Sequence, residues 1–359
     1  MEELEAILNR ADQGLRLEDR ELAVLLELSD EVQREKLFAA ARRSRSRFFG
    51  DEVFLYGFVY FSTYCRNACN FCYYRNANTG SIRYRKSLAE VLEIAAALKE
   101  SGVHLLDLTM GEDPYYLSSG EEGYDRLVEL VHQVKEQTGL PLMISPGGVP
   151  EKLLPRLQAA GADWYACYQE THTLELYNRM RVHQPYRERW DRKVAAHGHG
   201  MLVEEGLLVG IGEETADVVH SLRQMELLQA EQVRTMTFVP QAGTPMAARK
   251  ASDNRLEVNI IAVMRLLFPD RLIPASLDVE GIHGLKARIN AGANVVTSII
   301  PPHEGLAGVA NSVQDIAEGY RTVAGVTPVL AECGLRPASV RAYADWVASH
   351  EKSFEKVIG

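Results

Sequence analysis

The sequence predicts a (β/α)8 TIM-type barrel with helical extensions at both ends. Eight short apolar segments recur along the chain, amphipathic stretches alternate with them, and 359 residues suffice for one large barrel. A doubly wound open sheet satisfies the same alternation, because strand order is not readable from one sequence.

The elements follow in order. Within residues 1–50, Leu4, Leu8 and Leu15 and then Leu22, Leu25 and Leu26 are spaced as in helices. The pattern then changes, and strands are predicted at 54–61, 104–110, 141–145, 163–169, 202–210, 233–239, 272–277 and 294–300. Helices are predicted at 87–101, 121–137, 150–160, 187–198, 214–228, 255–268 and 281–291, the crossovers that parallel strands require. Residues 1–50 thus form an N-terminal helical extension, 51–303 the barrel, and 304–359 a C-terminal helical extension.

Composition narrows the function classes. Hydrophobic residues at 46% and charged residues at 25% give a globular chain with a substantial core. With a net charge of −10, the only local basic candidate for nucleic acid is Arg42-Arg43-Ser44-Arg45-Ser46-Arg47, and a solvated helix face is its plainer reading. No apolar run approaches the roughly 20 residues of a transmembrane helix. The acidic start Met1-Glu2-Glu3-Leu4-Glu5 lacks the features of a signal peptide. The expectation is a cytoplasmic protein with neither nucleic acid nor membrane as partner.

Cys65, Cys69 and Cys72 form a C-x3-C-x2-C triplet just after the first strand. Thiolates are soft ligands suited to iron–sulfur clusters and to zinc. A closed zinc site wants four protein ligands, and the triplet holds no histidine, while Cys167 and Cys333 stand apart. Three thiolates on a four-iron cluster leave one iron open to a ligand. Zinc completed by a distant histidine, or three unligated thiols, are the alternatives.

Further polar residues gather where the predicted strands end, which is where barrel enzymes do their chemistry. Gly111-Glu112 follows the second strand, Glu170 the fourth, Gly210-Ile211-Gly212-Glu213 the fifth and Asp278 the seventh. Asp107, Glu170, Arg234 and Asp278 lie within or beside strongly apolar strands, where an unpaired charge is costly. An Arg234–Asp107 ion pair closing the barrel is the structural alternative.

The triplet, its place after a first barrel strand and Phe71 just before its last cysteine resemble the radical SAM superfamily. That resemblance implies a [4Fe–4S] cluster on Cys65, Cys69 and Cys72, with S-adenosylmethionine (SAM) chelated at the open iron beside Phe71. It also implies reductive cleavage of SAM to methionine and a 5′-deoxyadenosyl radical, with a flavodoxin- or ferredoxin-like electron donor. Gly111-Glu112 resembles the superfamily's contact to the methionine ammonium. Glu170 with Arg189, or with Arg181 in reserve, resembles the ribose and carboxylate contacts of the biotin-synthase and [FeFe]-hydrogenase maturase group. Gly210 and Gly212 would let backbone pass close to the adenosine. Singly these signals are ordinary turns and ion pairs, and their order after the cysteine loop is what marks them.

With Glu170 assigned to SAM, one arginine and two aspartates remain, a set suited to one carboxylate and two ammonium groups. Ser276 shares a strand face with Asp278 by the two-residue period. Ser145, Thr297 and Ser298 are candidate polar lining, and equally ordinary strand residues.

A closer resemblance covers longer stretches. Phe61-Ser62-Thr63-Tyr64-Cys65, the run from Asp107 to Tyr116, Met143-Ile144-Ser145-Pro146-Gly147 and Tyr168-Gln169-Glu170-Thr171 are similar to the methylornithine synthase family. So are Pro274-Ala275-Ser276-Leu277-Asp278 and Asn290-Ala291-Gly292-Ala293-Asn294 with Thr297-Ser298. The likeness runs through Pro302 and is looser beyond. It implies L-lysine as substrate, isomerised to (3R)-3-methyl-D-ornithine at the start of pyrrolysine biosynthesis. Hydrogen abstraction from the side chain, fragmentation into a glycyl radical and an aminoalkene, and recombination would move the carbon skeleton. By the same resemblance Asp107 contacts the side-chain ammonium, and Arg234, Ser276 and Asp278 hold the amino-acid end. An [FeFe]-hydrogenase maturase or another biotin-synthase relative would share the barrel, cluster and SAM contacts without needing this set. A non-catalytic cluster carrier would need neither the charges nor the Gly-Glu motif. Cys167 and Cys333 match no family requirement, and residues 76–81 predict only a surface loop.

Overall fold

Eight parallel strands make the central sheet: β1 (Glu52–Ser62), β2 (Leu105–Met110), β3 (Leu142–Ser145), β4 (Ala162–Ala166), β5 (Leu202–Val209), β6 (Gln232–Thr237), β7 (Pro274–Ser276) and β8 (Val295–Ile299). Their order is β6-β5-β4-β3-β2-β1-β8-β7. Pairing of β1 with β8 wraps the sheet into a barrel and excludes the doubly wound alternative. This computed structural model describes residues 2–301 and 320–354. Pro302 and the predicted boundary at 303/304 lie outside the described residues.

The barrel is nearly closed. At the β6–β7 seam a single bridge, Gln232 to Leu272, joins the strands, with Val233 N donating to Leu272 O at 3.0 Å. Outside the seam an ion pair does the rest. Arg288, on the helix Leu285–Asn290, donates to Glu257, on the helix Arg255–Leu267, at 2.5 and 3.1 Å. Glu257 also accepts Thr237 N at 2.9 Å, tying that helix to the end of β6.

Strand alternation puts Phe54, Leu105, Met143, Trp164, Leu202 and Val295 in an apolar cluster at the N-terminal end of the strands. The C-terminal helix Val340–Phe354 lays Tyr343 and Val347 into that cluster, and the hydroxyls of Tyr56 and Tyr343 hydrogen-bond at 2.9 Å. The helical end of the chain therefore plugs the floor and leaves the mouth to the loops. At the N-terminus, helices Glu2–Asp12, Asp19–Leu26 and Glu31–Phe49 pack their leucines into the main core.

The predicted elements need four adjustments. The helices expected at 150–160 and 281–291 each begin as a 3-10 turn, Glu151–Leu153 and Gly281–Gly284. The fourth strand stops at Ala166, and an unpredicted helix, Leu174–Met180, follows it. The basic run at 42–47 is only partly a solvated face, with Arg43, Ser46 and Arg47 exposed and Ser44 and Arg45 buried. Arg45, 5% exposed, donates to the carbonyls of Ile289 and Ala293 at 2.5 and 3.2 Å, and Arg42 donates to Asn290 O, so these cations cap the end of a helix. Finally, the loop 76–81 is only partly surface. Buried Asn78 donates to Tyr73 O and Ala242 O at 2.8 and 2.9 Å, tying the cysteine segment to the loop after β6. No helix among the described residues is long and apolar enough to cross a membrane.

Candidate active site

The cysteine loop leaves β1 under tight control. Buried Asp113 accepts Ser62 Oγ at 2.6 Å and a two-pronged contact from Arg85 at 2.7 and 2.8 Å. Gly111 N donates to Ser62 O at 2.9 Å, and a Cβ on Gly111 would stand 2.9 Å from Cys65 Cβ and collide with the carbonyl oxygen of Tyr64. Gly111 thus seats the loop itself against the end of β2.

All five cysteines are free thiols. Burial pushes the Cys65 thiol up to about 11 and Cys72 higher still, each raised further by its neighbours in the triplet. Cys69 Sγ accepts Gln184 Nε2 at 3.0 Å and Arg181 Nη1 at 3.7 Å, N–H···S bonds of the kind that stabilise cluster thiolates. Among the described residues no three His, Cys, Asp or Glu side chains converge on a point as a single-ion site demands. Cys167 packs into the core, and Cys333 ends the helix Val323–Glu332.

Next to the triplet lie two spaces. The outer groove is walled by Arg66, Glu112, Gly148, Gln184 and Arg189. Glu112 accepts Arg189 Nη1 at 3.0 Å, Gly148 N at 2.8 Å and Arg66 Nε at 3.1 Å. Burial alone would raise its carboxyl, but Arg189, the Gly148 amide and Arg66 hold it below the usual range. Gly147, at φ +74°, makes room for this, since a Cβ there would lie 2.6 Å from Glu112 Oε1. An anionic and a cationic group paired in a groove offer both halves of a zwitterion a partner.

The inner space lies in the barrel mouth. Its lining includes Phe71, Cys72 and Glu170 as well as Asp107, Ser145, Arg234, Asp278 and Ser298. Glu170 accepts Arg181 Nη2 at 2.6 Å, and burial raises its carboxyl despite Arg181 and Arg189. Two wall residues, Glu170 and Ser298, have positive φ, 68° and 65°. Such backbone persists where the fold overrides a local cost, which is common at functional sites.

Asp107 Oδ1 accepts Ser145 Oγ at 2.7 Å and Thr109 Oγ1 at 3.0 Å, and burial, helped by nearby Glu204, lifts its carboxyl to about 6. The Arg234–Asp107 ion pair considered above does not form. Arg234 Nε instead donates to Glu204 Oε1 at 2.7 Å, and Glu204 also accepts Gln232 Nε2 at 2.7 Å and Tyr168 Oη at 2.6 Å. Ser276 Oγ accepts the Asp278 amide at 3.2 Å and lies behind the wall, as does Thr297, whose buried hydroxyl has no partner. The amides of Gly210, Ile211 and Gly212 turn to Glu213 at 2.6, 2.8 and 3.0 Å.

Several buried charges escaped sequence reasoning, Glu204, Glu205 and Arg321 among them. Glu204 and Glu205 stand together in β5, fully buried, on opposite faces. Glu205 faces the helix layer, where it pairs with Lys193 and His172, and these partners hold its carboxyl near 2 against the effect of burial. An acidic pair inside an apolar strand was the available signal. Arg321 reaches Asp278 Oδ1 at 3.6 Å from beyond the last strand, and nothing in its surroundings marks it.

The sequence profile of the radical SAM superfamily matches residues 59–225. The chain is 46% identical over 337 residues to a 3-methylornithine synthase of Methanosarcina acetivorans, spanning 94% of this chain and 95% of that one. It is 44% identical over 359 residues to the 3-methylornithine synthase of Methanosarcina barkeri, spanning 100% and 98%. A crystal structure of methylornithine synthase superposes with a TM-score of 0.90 at 44% identity, covering 95% of this chain and 99% of that one.

Proposed function

The chain belongs to the 3-methylornithine synthase family of the radical SAM superfamily, and from that premise we propose that its barrel isomerises L-lysine to (3R)-3-methyl-D-ornithine, opening pyrrolysine biosynthesis. The observation that carries the reading is the shape of the inner cavity. Cys72 and Phe71 line it together with Asp107, Arg234 and Asp278, so the radical source and a diamino-acid receptor share one space.

Cys65, Cys69 and Cys72 would hold a [4Fe–4S] cluster, Glu112 and Arg189 the ammonium and carboxylate of SAM, and Glu170 its ribose. Arg181, donating to both Cys69 Sγ and Glu170, links the cluster loop to the ribose contact. Together the two cofactors supply a 5′-deoxyadenosyl radical once an external flavodoxin- or ferredoxin-like protein delivers an electron. Free thiols and a low-potential electron fit a reducing cytoplasm.

The protein's own part is positioning. Asp107 receives the side-chain ammonium, and Arg234 and Asp278 receive the carboxylate and α-ammonium. Lysine and its product are isomers, so no atom or electron is gained or lost. A substrate that comes apart and rejoins must be held at both ends, and separate anchors for its two ends do this. The apolar rim of Phe58, Leu207, Met236 and Phe238 keeps water from a reactive carbon centre. The test is anaerobic turnover of isotopically labelled lysine by the reconstituted, reduced protein with SAM. Labelled methylornithine is expected, and unchanged lysine in a preparation that makes 5′-deoxyadenosine would reject the reading.

A further inference from the structure

Glu170 and Arg189, assigned above to the ribose and carboxylate of SAM, stand on different elements. Glu170 belongs to the segment that follows β4, and its backbone has φ +68°. Arg189 is on the helix Tyr186–Gly198, where fully buried Lys193 lies four residues on and shares its face. Both cations reach back to residues 167–169. Arg189 donates to Tyr168 O through Nε and Nη2 at 3.2 and 3.0 Å. Lys193 Nζ donates to Cys167 O at 3.0 Å, to Gln169 Oε1 at 3.1 Å and to Glu205 Oε2. Glu205, fully buried in β5, accepts Gln169 N and Gly206 N on its other oxygen at 2.8 Å each. Gln169 Nε2 donates to Tyr186 O at 3.2 Å, at the start of the helix. Glu170 is laddered onto β5, its amide donating to Gly206 O at 3.1 Å and its carbonyl accepting Leu208 N at 2.9 Å. Neither Lys193 nor Glu205 borders the outer groove or the inner cavity.

We infer that Lys193 and Glu205 are positioning residues for SAM. Their buried pair clamps the helix bearing Arg189 to the segment bearing Glu170, and so sets the span between the carboxylate and ribose contacts. The inference rests on the SAM contacts proposed above. A buried ion pair is a weak source of net stability, because desolvating both charges offsets their attraction. Its worth here is geometric. One ammonium holds three acceptors at once, two in the segment after β4 and one on β5. An apolar pair of similar volume would fill the same space but leave the helix free to slip along the segment. A ligand held at two ends gains its affinity only while both contacts match its own length. A small slip therefore costs the whole ligand far more than it costs either half.

That asymmetry supplies the test. Lys193→Met/Glu205→Gln removes both charges together, so neither is left buried alone, and keeps an acceptor for Gln169 N. Binding of SAM, and separately of its halves 5′-deoxyadenosine and methionine, is measured by equilibrium dialysis on the reconstituted, unreduced holoprotein. The double variant should bind SAM about tenfold more weakly or worse, while each half stays within about twofold of its wild-type affinity. Equal weakening of SAM and both halves would mean that the pair is structural only, and overturns the inference. Undiminished SAM affinity overturns it as well. If the double variant fails to fold by circular dichroism, Gln169→Met takes its place. It cuts the ties to Lys193 Nζ and Tyr186 O, leaves the ion pair in place, and is held to the same split between whole ligand and halves. Wild type that binds SAM no more tightly than its halves would reject the two-ended SAM reading, and this inference with it. Tight SAM binding by wild type without the split in the variant rejects this inference alone.

Discussion

Asp107→Asn should make the ligand-free protein more stable and the enzyme worse. The Asp107 carboxyl is 7% exposed, and burial, reinforced by Glu204 and opposed by Ser145, Arg234 and Thr109, lifts it from 3.8 to about 6. The unfolded chain therefore loses this proton near 3.8 and the folded one near 6, so stability falls as pH rises through that window. Above it the full penalty persists. At about 1.4 kcal/mol per pH unit the penalty is about 3 kcal/mol. Asparagine removes it, while its carbonyl oxygen can still accept the Ser145 and Thr109 hydroxyls. Urea unfolding of the ligand-free variant should show a gain of about 3 kcal/mol at pH 7.5 and about half that at pH 5. Lysine affinity should fall about tenfold to a hundredfold, the worth of a charge-assisted hydrogen bond, with SAM affinity unchanged. In the wild type, lysine affinity should decline as pH drops through 6, where Asp107 takes up its proton. A variant no more stable than wild type at pH 7.5, or a gain independent of pH, refutes the burial argument. Undiminished lysine binding refutes the assignment.

Other perturbations probe the scaffold. Gly111→Ala should keep the barrel's circular dichroism but lose iron on reconstitution, since its Cβ would displace the loop at Tyr64 and Cys65. Glu205→Gln strands buried Lys193 and should cost about 3–5 kcal/mol in urea unfolding. In the wild type the Glu205 contribution, with the carboxyl held near 2, is complete above 4.5 and lost as pH falls toward 2. Tyr343→Phe leaves the buried Tyr56 hydroxyl without its 2.9 Å partner and should cost about 1–3 kcal/mol without changing turnover, because it lies at the floor.

Most of the strands were legible because they are largely apolar on both faces, as a parallel sheet clad in helices demands. Strand β7 spans only Pro274–Ser276, and it too was found, since its flanks stay apolar. The triplet and the charges at strand ends were legible for the same reason, as polar residues where burial should exclude them. Glu204 and Glu205 met that criterion and were passed over, because two adjacent acids read as a loop edge rather than as one residue on each side of a strand. Arg321 was beyond reach: its target, Asp278, is 43 positions earlier, and only the folded chain brings them to 3.6 Å. The buried Arg45 and Arg265 deceive in the other direction. Both look like surface cations, yet Arg265 donates to Gly292 O and Pro269 O at 2.9 Å each, serving main-chain acceptors that sequence does not display.

The barrel's uneven closure follows from the same residues. Around most of the sheet, strand pairing continues up to the mouth, and side chains there are free to face a ligand. Between β6 and β7 pairing stops at the floor, so Arg234 on one side and Ser276 and Asp278 on the other flank a splayed gap. A gap at that height suits a head group wider than a methylene chain. It also removes ladder hydrogen bonds that would otherwise fix the spacing of Arg234 and Asp278. The Glu257–Arg288 pair on the outside and the Glu204 and Arg321 contacts on the inside replace that constraint with charge. Arg288→Met should therefore do more than destabilise. By loosening the seam it should raise the KM for lysine while leaving SAM affinity intact, and an equal loss of both would mean that the seam carries stability alone.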